Sequence, residues 1–209
     1  MSLDNVTVAI LAGGGSSRFG SEKSLALFKG KPLISHMFSI AKGLASHVII
    51  VASNDSQQTS LSEIVPDIDI VMDDDASEKC ALNGAITAFE HSESDYTLLL
   101  PVDTPLASKE LLETILNLRE GHGAVVPAWP NGYTEPLHSV YSTEHAYNKG
   151  IEVMETGQKR MQNLLDSLTN VLYVQTEILR MFDEHLRTFD NANTPYELKR
   201  LEEEVFKPR

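Results

Sequence analysis

The sequence predicts an α/β fold: a mostly parallel central sheet with helices on both faces. Short apolar runs recur over the first two thirds of the chain without the polar alternation of a half-exposed strand. Stretches with apolar residues at helical spacing separate these runs. Strands buried on both faces and alternating with helices imply a parallel sheet covered on each side. Ligands of such sheets bind beyond the carboxyl ends of the strands.

Taken in order, the expected strands are Val6–Leu11, Val48–Ala52, Ile68–Met72, Tyr96–Pro101 and Ala124–Pro127. The expected helices lie near Leu33–Ala45, Leu82–Phe89 and Lys109–Leu118. Leu82, Ala85, Ile86 and Phe89 fall on one helical face, as do Leu111, Ile115 and Leu118, and Ser108 stands where an N-cap belongs. The last third is less regular. Leu137–Tyr141 reads as a further strand, Glu144–Glu155 and Lys159–Leu168 as helices, and Val171–Val174 as an apolar run. Thr194-Pro195-Tyr196-Glu197 has the form of a capping box with proline at the first helical position. Leu198, Leu201 and Val205 would then face the core from a docked terminal helix.

Composition narrows the function. A chain of 209 residues fits one domain, and 42% hydrophobic residues suit a folded globular protein. No apolar run approaches the roughly 18 residues of a membrane span, so no membrane association is expected. Met1-Ser2-Leu3-Asp4 lacks a basic region followed by an apolar stretch, and Cys80 has no partner for an intrachain disulfide. Both fit a cytoplasmic protein. The net charge of −13 argues against nucleic acid as a partner. The seven histidines show no zinc-ligand spacing, and no Gly-x-Ser-x-Gly elbow points to a serine hydrolase.

The first strand opens onto Leu11-Ala12-Gly13-Gly14-Gly15-Ser16-Ser17-Arg18-Phe19-Gly20-Ser21-Glu22-Lys23. Consecutive glycines let the backbone turn sharply and approach a ligand, and their N–H groups can face phosphate oxygens. Arg18 and Lys23 add two cations. The dinucleotide fingerprint fails here because Arg18 stands where its third glycine belongs. The P-loop pattern fails because Ser21 stands where its lysine belongs. What remains is a strand, a glycine turn and paired cations, suited to a triphosphate. Asp103, at the end of the most apolar strand and flanked by Pro101 and Pro105, is the expected metal ligand, because Mg²⁺ takes one or two carboxylates together with phosphate oxygens.

The glycine segment resembles the signature of small nucleotidyltransferases, most closely the molybdenum cofactor guanylyltransferases, with Phe19 and Glu22 in place of methionine and aspartate. The resemblance continues through Gly30-Lys31-Pro32-Leu33, Pro101-Val102-Asp103-Thr104-Pro105, Glu135-Pro136-Leu137 and Phe189-Asp190-Asn191-Ala192-Asn193-Thr194-Pro195, so it covers nearly the whole chain. It implies a single-domain Rossmann-like nucleotidyltransferase fold. The nucleotide-binding part would occupy about residues 1–107 and the acceptor-binding part about 108–209. It also implies GMP transfer from GTP to the phosphate of molybdenum-molybdopterin, with Mg²⁺, and molybdoenzyme-delivery proteins as partners.

By the same resemblance Arg18, Lys23 and Asp103 are the catalytic residues. Leu11, Ala12, Gly13, Gly14, Gly15, Lys23, Asn54, Asp73, Asp74, Gly84 and Asp103 would bind nucleotide. Glu135, Pro136, Arg160, Asn191 and Asn193 would bind the acceptor. Within Asp73-Asp74-Asp75, Asp74 is preferred on spacing for the guanosine contact. Gly13 favours GTP over CTP, since cytidylyl-transferring relatives carry alanine there. Cys80 and Ala81 depart from the family's Gly-Pro. The competing readings are a cytidylyl or sugar-phosphate nucleotidyltransferase and a GTP-binding module without chemistry.

Overall fold

In the computed structural model, residues 5–13, 19, 22–73 and 80–206 are described. Seven strands form one sheet in the order β5-β4-β1-β6-β8-β7-β9. They are β1 (Val6–Leu11), β4 (His47–Ala52), β5 (Asp69–Met72), β6 (Tyr96–Pro101), β7 (Ala124–Ala128), β8 (Val140–Ser142) and β9 (Val171–Gln175). The five apolar runs expected in the first two thirds are all strands, within a residue of the expected bounds. β1 pairs in parallel with β4 and β6, β4 with β5, and β7 with β9. Only β8 among these runs antiparallel, between β6 and β7.

Alternate residues of β1 serve opposite faces. Val8 and Ile10 pack in a cluster with Leu33, Ile34 and Met37 of α1 (Leu33–Lys42) and with Leu111, Leu112 and Ile115 of α4 (Lys109–Asn117). Ala9 and Leu11 face Leu82, Ala85 and Phe89 of α3 (Ala81–Glu90). Behind α3 stand α5 (Thr143–Glu155) and α6 (Met161–Ser167), which add Ala146, Val153, Leu164 and Leu165. Burial on both faces removes the need for a polar side, which is why these strands carry continuous apolar runs. Ser108 caps α4 by accepting from Leu111 N at 3.3 Å.

The structure differs from expectation in several places. Leu137–Tyr141 is not one strand: a 3₁₀ turn, Pro136–His138, precedes β8. Pro136 fixes its own φ and donates no N–H, and His138 N closes the turn on Glu135 O at 3.0 Å. A helix absent from the expectation, α2 (Asp55–Ile64), follows β4; it is mostly polar and buries only Gln57 and Leu61. A small hairpin, β2 (Leu27–Phe28) with β3 (Lys31–Pro32), was also not foreseen. It turns on Lys29 and Gly30, with φ of 49° and 75°. A short helix, α7 (Thr176–Leu179), follows β9.

The terminal helix α8 (Pro195–Phe206) docks as expected through Leu198 and Leu201; the side chain of Val205 lies outside the described ones. Its cap differs from the expected box by one residue. Thr194 Oγ1 accepts from Glu197 N at 3.2 Å, but Glu197 Oε2 accepts from Asn193 N at 2.7 Å, one position further back. Among the described residues no helix is long and apolar enough to cross a membrane.

Candidate active site

The sheet reverses its order of addition between β1 and β6. From β1 the chain adds β4 and β5 on one side, then returns to place β6 on the other. Leu11 and Pro101 are register partners at this junction, and Val102 N donates to Leu11 O at 3.2 Å just beyond it. A switch point opens a crevice at the carboxyl edge, and both the end of β1 and Asp103 lie there.

Three elements bring their polar groups together in this crevice. A 3₁₀ turn, Lys23–Leu25, presents Lys23, with Leu25 N bonded to Glu22 O at 3.1 Å and Ala26 N to Lys23 O at 3.0 Å. The Lys23 ammonium forms an ion pair with Asp103 Oδ2 and donates to Asn193 Oδ1 at 3.0 Å. The Lys23 and Asp103 side chains are only 13% and 14% exposed, so water screens the pair poorly. The same ammonium lies 5.8 Å from the centroid of the Phe19 ring. Ala192 N donates to Asp103 O at 3.0 Å, which anchors the Asn191–Thr194 turn on the aspartate. Residues 80 and 90 positions beyond one another in sequence thus meet around one cation.

On the other side of β1, a cleft of about 470 Å³ opens beyond β4 and β5. Ser53, Asn54, Met72, Asp73 and Thr87 are among its walls. Asp73 Oδ1 accepts from Asn83 Nδ2 and from Thr87 Oγ1, the latter at 3.3 Å, so α3 orients the carboxylate. A Cβ added at Gly84 would stand 3.9 Å from Leu11 Cδ2 and 4.0 Å from Asp73 Oδ2. Leu11, Asp73 and Gly84 therefore do meet. Asn54 lines the cleft, and its Oδ1 caps α2 by accepting from Gln57 N at 2.9 Å.

At Gly13 the absence of a side chain also has a reason within the protein itself. Its N–H goes to Val51 O at 3.2 Å, so this amide belongs to the sheet and is not directed at a phosphate. A Cβ there would meet Ser53 Cβ at 3.3 Å, a close approach to the wall of the cleft. Gly14, Gly15, Arg18 and Asp74 lie outside the described residues.

The acceptor-side residues divide. Glu135 Oε1 accepts from Trp129 Nε1 at 2.7 Å, and Glu135 N donates to Pro127 O at 2.9 Å. Burial raises the Glu135 pKa above the ordinary carboxylate value, against the lowering effect of the Trp129 bond. Pro136 starts the 3₁₀ turn, and Tyr141 donates its hydroxyl to Pro136 O at 2.7 Å. That turn carries His138, which is 4% exposed and whose pKa burial lowers to about 3. A neutral imidazole results, so its 3.9 Å approach to Glu135 Oε2 is not an ion pair. His138 Nε2 lies 3.3 Å from Thr104 Oγ1, and its ring stands edge-on to Phe189 at 5.3 Å. This histidine links the Asp103 loop to the Glu135 loop. Arg160 and Asn191 are exposed, and neither makes a side-chain hydrogen bond to the Lys23 group; Arg160 sits instead at the N-cap of α6.

A further residue escaped the sequence reading. Gln57 is 5% exposed and bonds Ala12, Ser24 and Ser53. Its signal was present in Asn54-Asp55-Ser56-Gln57, a capping pattern that also marks the start of the unforeseen α2.

A doubly covered parallel sheet with a lysine–aspartate–asparagine group at its switch point defines an α/β enzyme of the nucleotide-handling class. Comparison with known proteins makes this specific. Residues 8–171 match the family model of the MobA-like NTP transferase domain, and the chain belongs to that family as a nucleotidyltransferase of molybdenum cofactor biosynthesis. It is 33% identical over 175 residues to a probable molybdenum cofactor guanylyltransferase of Pyrococcus horikoshii, covering 81% of this chain and 85% of that protein. The structure of molybdopterin-guanine dinucleotide biosynthesis protein A from Archaeoglobus fulgidus superimposes with a TM-score of 0.81 at 28% identity, covering 95% of this chain and 98% of that one. The 4-diphosphocytidyl-2C-methyl-D-erythritol synthase of Anaerococcus prevotii, at 12% identity and a TM-score of 0.72 over 98% and 97% of the two chains, shares the fold alone.

Proposed function

We propose that this nucleotidyltransferase moves GMP from GTP to the terminal phosphate of molybdenum-molybdopterin, releasing pyrophosphate and forming molybdopterin guanine dinucleotide. The observation that carries the reading is the convergence of Lys23, Asp103 and Asn193 at the β1–β6 switch point. The named relatives add the choice of base and acceptor.

The acceptor is already an anionic phosphate, so no general base is required. Its oxygen bonds to the α-phosphorus of GTP in line as the α–β bridging bond breaks, and pyrophosphate leaves with that electron pair. What the protein must supply is alignment and charge compensation. Lys23 is a point charge suited to a triphosphate oxygen, and Asp103 with Asn193 hold its ammonium in place before substrate arrives. The cleft walled by Asp73 would take the base, since a carboxylate accepts from the N1 and N2 groups of guanine or from ribose hydroxyls. Glu135 and Asn193, on the other side, would face the pterin and its phosphate.

Mg²⁺ is the expected cofactor, and the donor set suits it. Among the described residues no three His, Cys, Asp or Glu side chains cluster as a complete metal cage. Asp103, joined by the Asn193 carbonyl, offers the one or two hard oxygens that Mg²⁺ takes when phosphates fill other positions. When bound, the ion would neutralise charge on the triphosphate.

The test incubates purified protein with Mg²⁺, molybdenum-loaded molybdopterin and each of the four nucleoside triphosphates in turn, with mass spectrometry of the products. A guanine dinucleotide alone is the expected result. A cytosine dinucleotide would overturn the base assignment and keep the transfer chemistry. No dinucleotide, from cofactor shown active with another enzyme, would overturn the acceptor.

A further inference from the structure

We propose that Gln57 is a positioning residue for nucleotidyl transfer, clamping both ends of the glycine segment against the wall of the base cleft. The inference rests on the transfer reading above. Gln57 lies in the first turn of α2 and is buried, although most of that helix is polar and Leu61 is the one other residue it buries. Its amide is used on both sides. Oε1 accepts from Ser53 N at 2.7 Å and from Ser53 Oγ at 3.0 Å. Nε2 donates to Ala12 O at 3.0 Å and to Ser24 Oγ at 3.4 Å.

These partners belong to three separate pieces of the site. Ala12 is where β1 hands over to the glycines. Ser24 is fully buried and adjoins Lys23, the cation that meets Asp103. Ser53 lines the base cleft and is the group a Cβ at Gly13 would strike at 3.3 Å. One side chain thereby fixes the spacing between the entry of the phosphate segment, its exit at Lys23 and the edge of the cleft. A planar amide suits this task, because its donor and acceptor faces are set by one torsion and it carries no charge to attract a phosphate. Misplacement of reacting groups by about an ångström is costly in rate, so a clamp of this kind should act on kcat.

Two variants separate the halves of the clamp. Gln57→Glu preserves size and the acceptor toward Ser53, but when ionised it loses the donor to Ala12 and Ser24. When protonated it regains a donor. Burial raises the pKa of Glu22, against a smaller lowering by the neighbouring Gln57 side chain. A second carboxyl beside it is disfavoured in its ionised form, so its pKa is raised above the ordinary carboxylate value. Gln57→Leu removes both halves at similar bulk.

Transfer is measured with the full chain, GTP, Mg²⁺ and molybdenum-loaded molybdopterin across pH 6 to 8.5, as a ratio to wild type and at temperatures well below each variant's melting point. The expected result for Gln57→Glu is a kcat lowered about tenfold to a hundredfold at high pH, with KM for GTP changed less, and recovery of the ratio as pH falls. Gln57→Leu should lose kcat without recovery. Wild-type kcat in folded Gln57→Glu at high pH would overturn the proposal, as would a loss that is flat with pH. If Gln57→Leu fails to fold, the isosteric Gln57→Glu alone decides. Absence of transfer by wild type itself would overturn the function, and with it this role, and is thus distinct from failure of the clamp alone.

Discussion

His138 should make this protein lose stability in mild acid. The folded state holds its imidazole neutral, with a pKa lowered to about 3 from the ordinary 6.5, because burial penalises the cation. The unfolded chain binds the proton near the ordinary value. A lowered folded pKa means that the stabilising contribution is present above the unfolded pKa and lost as pH falls below it. Integrating the two titrations from pH 7 to pH 5 gives a loss of about 2 kcal/mol from this one residue. That is a sizeable part of the ~5–15 kcal/mol expected for a domain. Urea unfolding at pH 7, 6 and 5 should show this loss in wild type. In His138→Asn the overall stability is lower at every pH, since a buried ring packed on Phe189 is gone, but the pH slope should be shallower by the same 2 kcal/mol, roughly. Groups common to both proteins cancel in the difference. Parallel pH profiles would refute the argument, as would an imidazole resonance of His138 titrating near pH 6.5 in the folded protein.

Other substitutions test the site and its support. Lys23→Ala and Asp103→Ala should each lower kcat by at least about 10²–10³ while far-UV circular dichroism stays native; near-normal turnover in either would remove the pair from the mechanism. Asn193→Ala removes one of the two anchors of the Lys23 ammonium and should cost roughly tenfold in kcat/KM, measured by pyrophosphate release. Gly13→Ala places a Cβ 3.3 Å from Ser53 and should lower kcat/KM for GTP relative to CTP with little change in melting temperature; an unchanged ratio would mean that this wall does not select the base. Gly123→Ala would put a Cβ 2.2 Å from Thr169 O, a backbone atom that cannot step aside, and should destabilise by about 1–3 kcal/mol or more; an unshifted urea midpoint would show that the β7–β9 end yields easily.

How much of this was legible in the sequence depended on where each residue's partners lie. β1, β4, β6 and β7 could be read directly, because a strand buried on both faces writes its environment into every residue, whereas β5, exposed or half-buried at the sheet edge, was legible only as an apolar run. α2 could not, because a helix that buries only Gln57 and Leu61 carries almost no periodic signal. The β2–β3 hairpin is too short for a pattern, and its turn places Lys29 at positive φ, where a sequence reading looks for asparagine or glycine. Lys23, Asp103 and Asn193 were legible as motifs but not as a cluster, since nothing in a one-dimensional order says that residues 23, 103 and 193 share one ammonium.

The same distinction separates Gly13, whose type stands out in the sequence, from Gln57, whose type does not. Glycine is visible by type, so Gly13 stands out as a place of close approach, and Ser53 is one group that a side chain there would meet. A glutamine on a polar helix is ordinary by type; its importance arises only because Ala12, Ser24 and Ser53 converge on both faces of one amide. Those three contacts also tie the Gly13 observation to the catalytic group. Ser53, which crowds Gly13, is held by the same side chain that holds Ser24 beside Lys23. A change at Gly13 is therefore expected to reach Lys23 through Gln57, and substitutions at the two positions should be non-additive, in contrast to either combined with the remote Gly123→Ala.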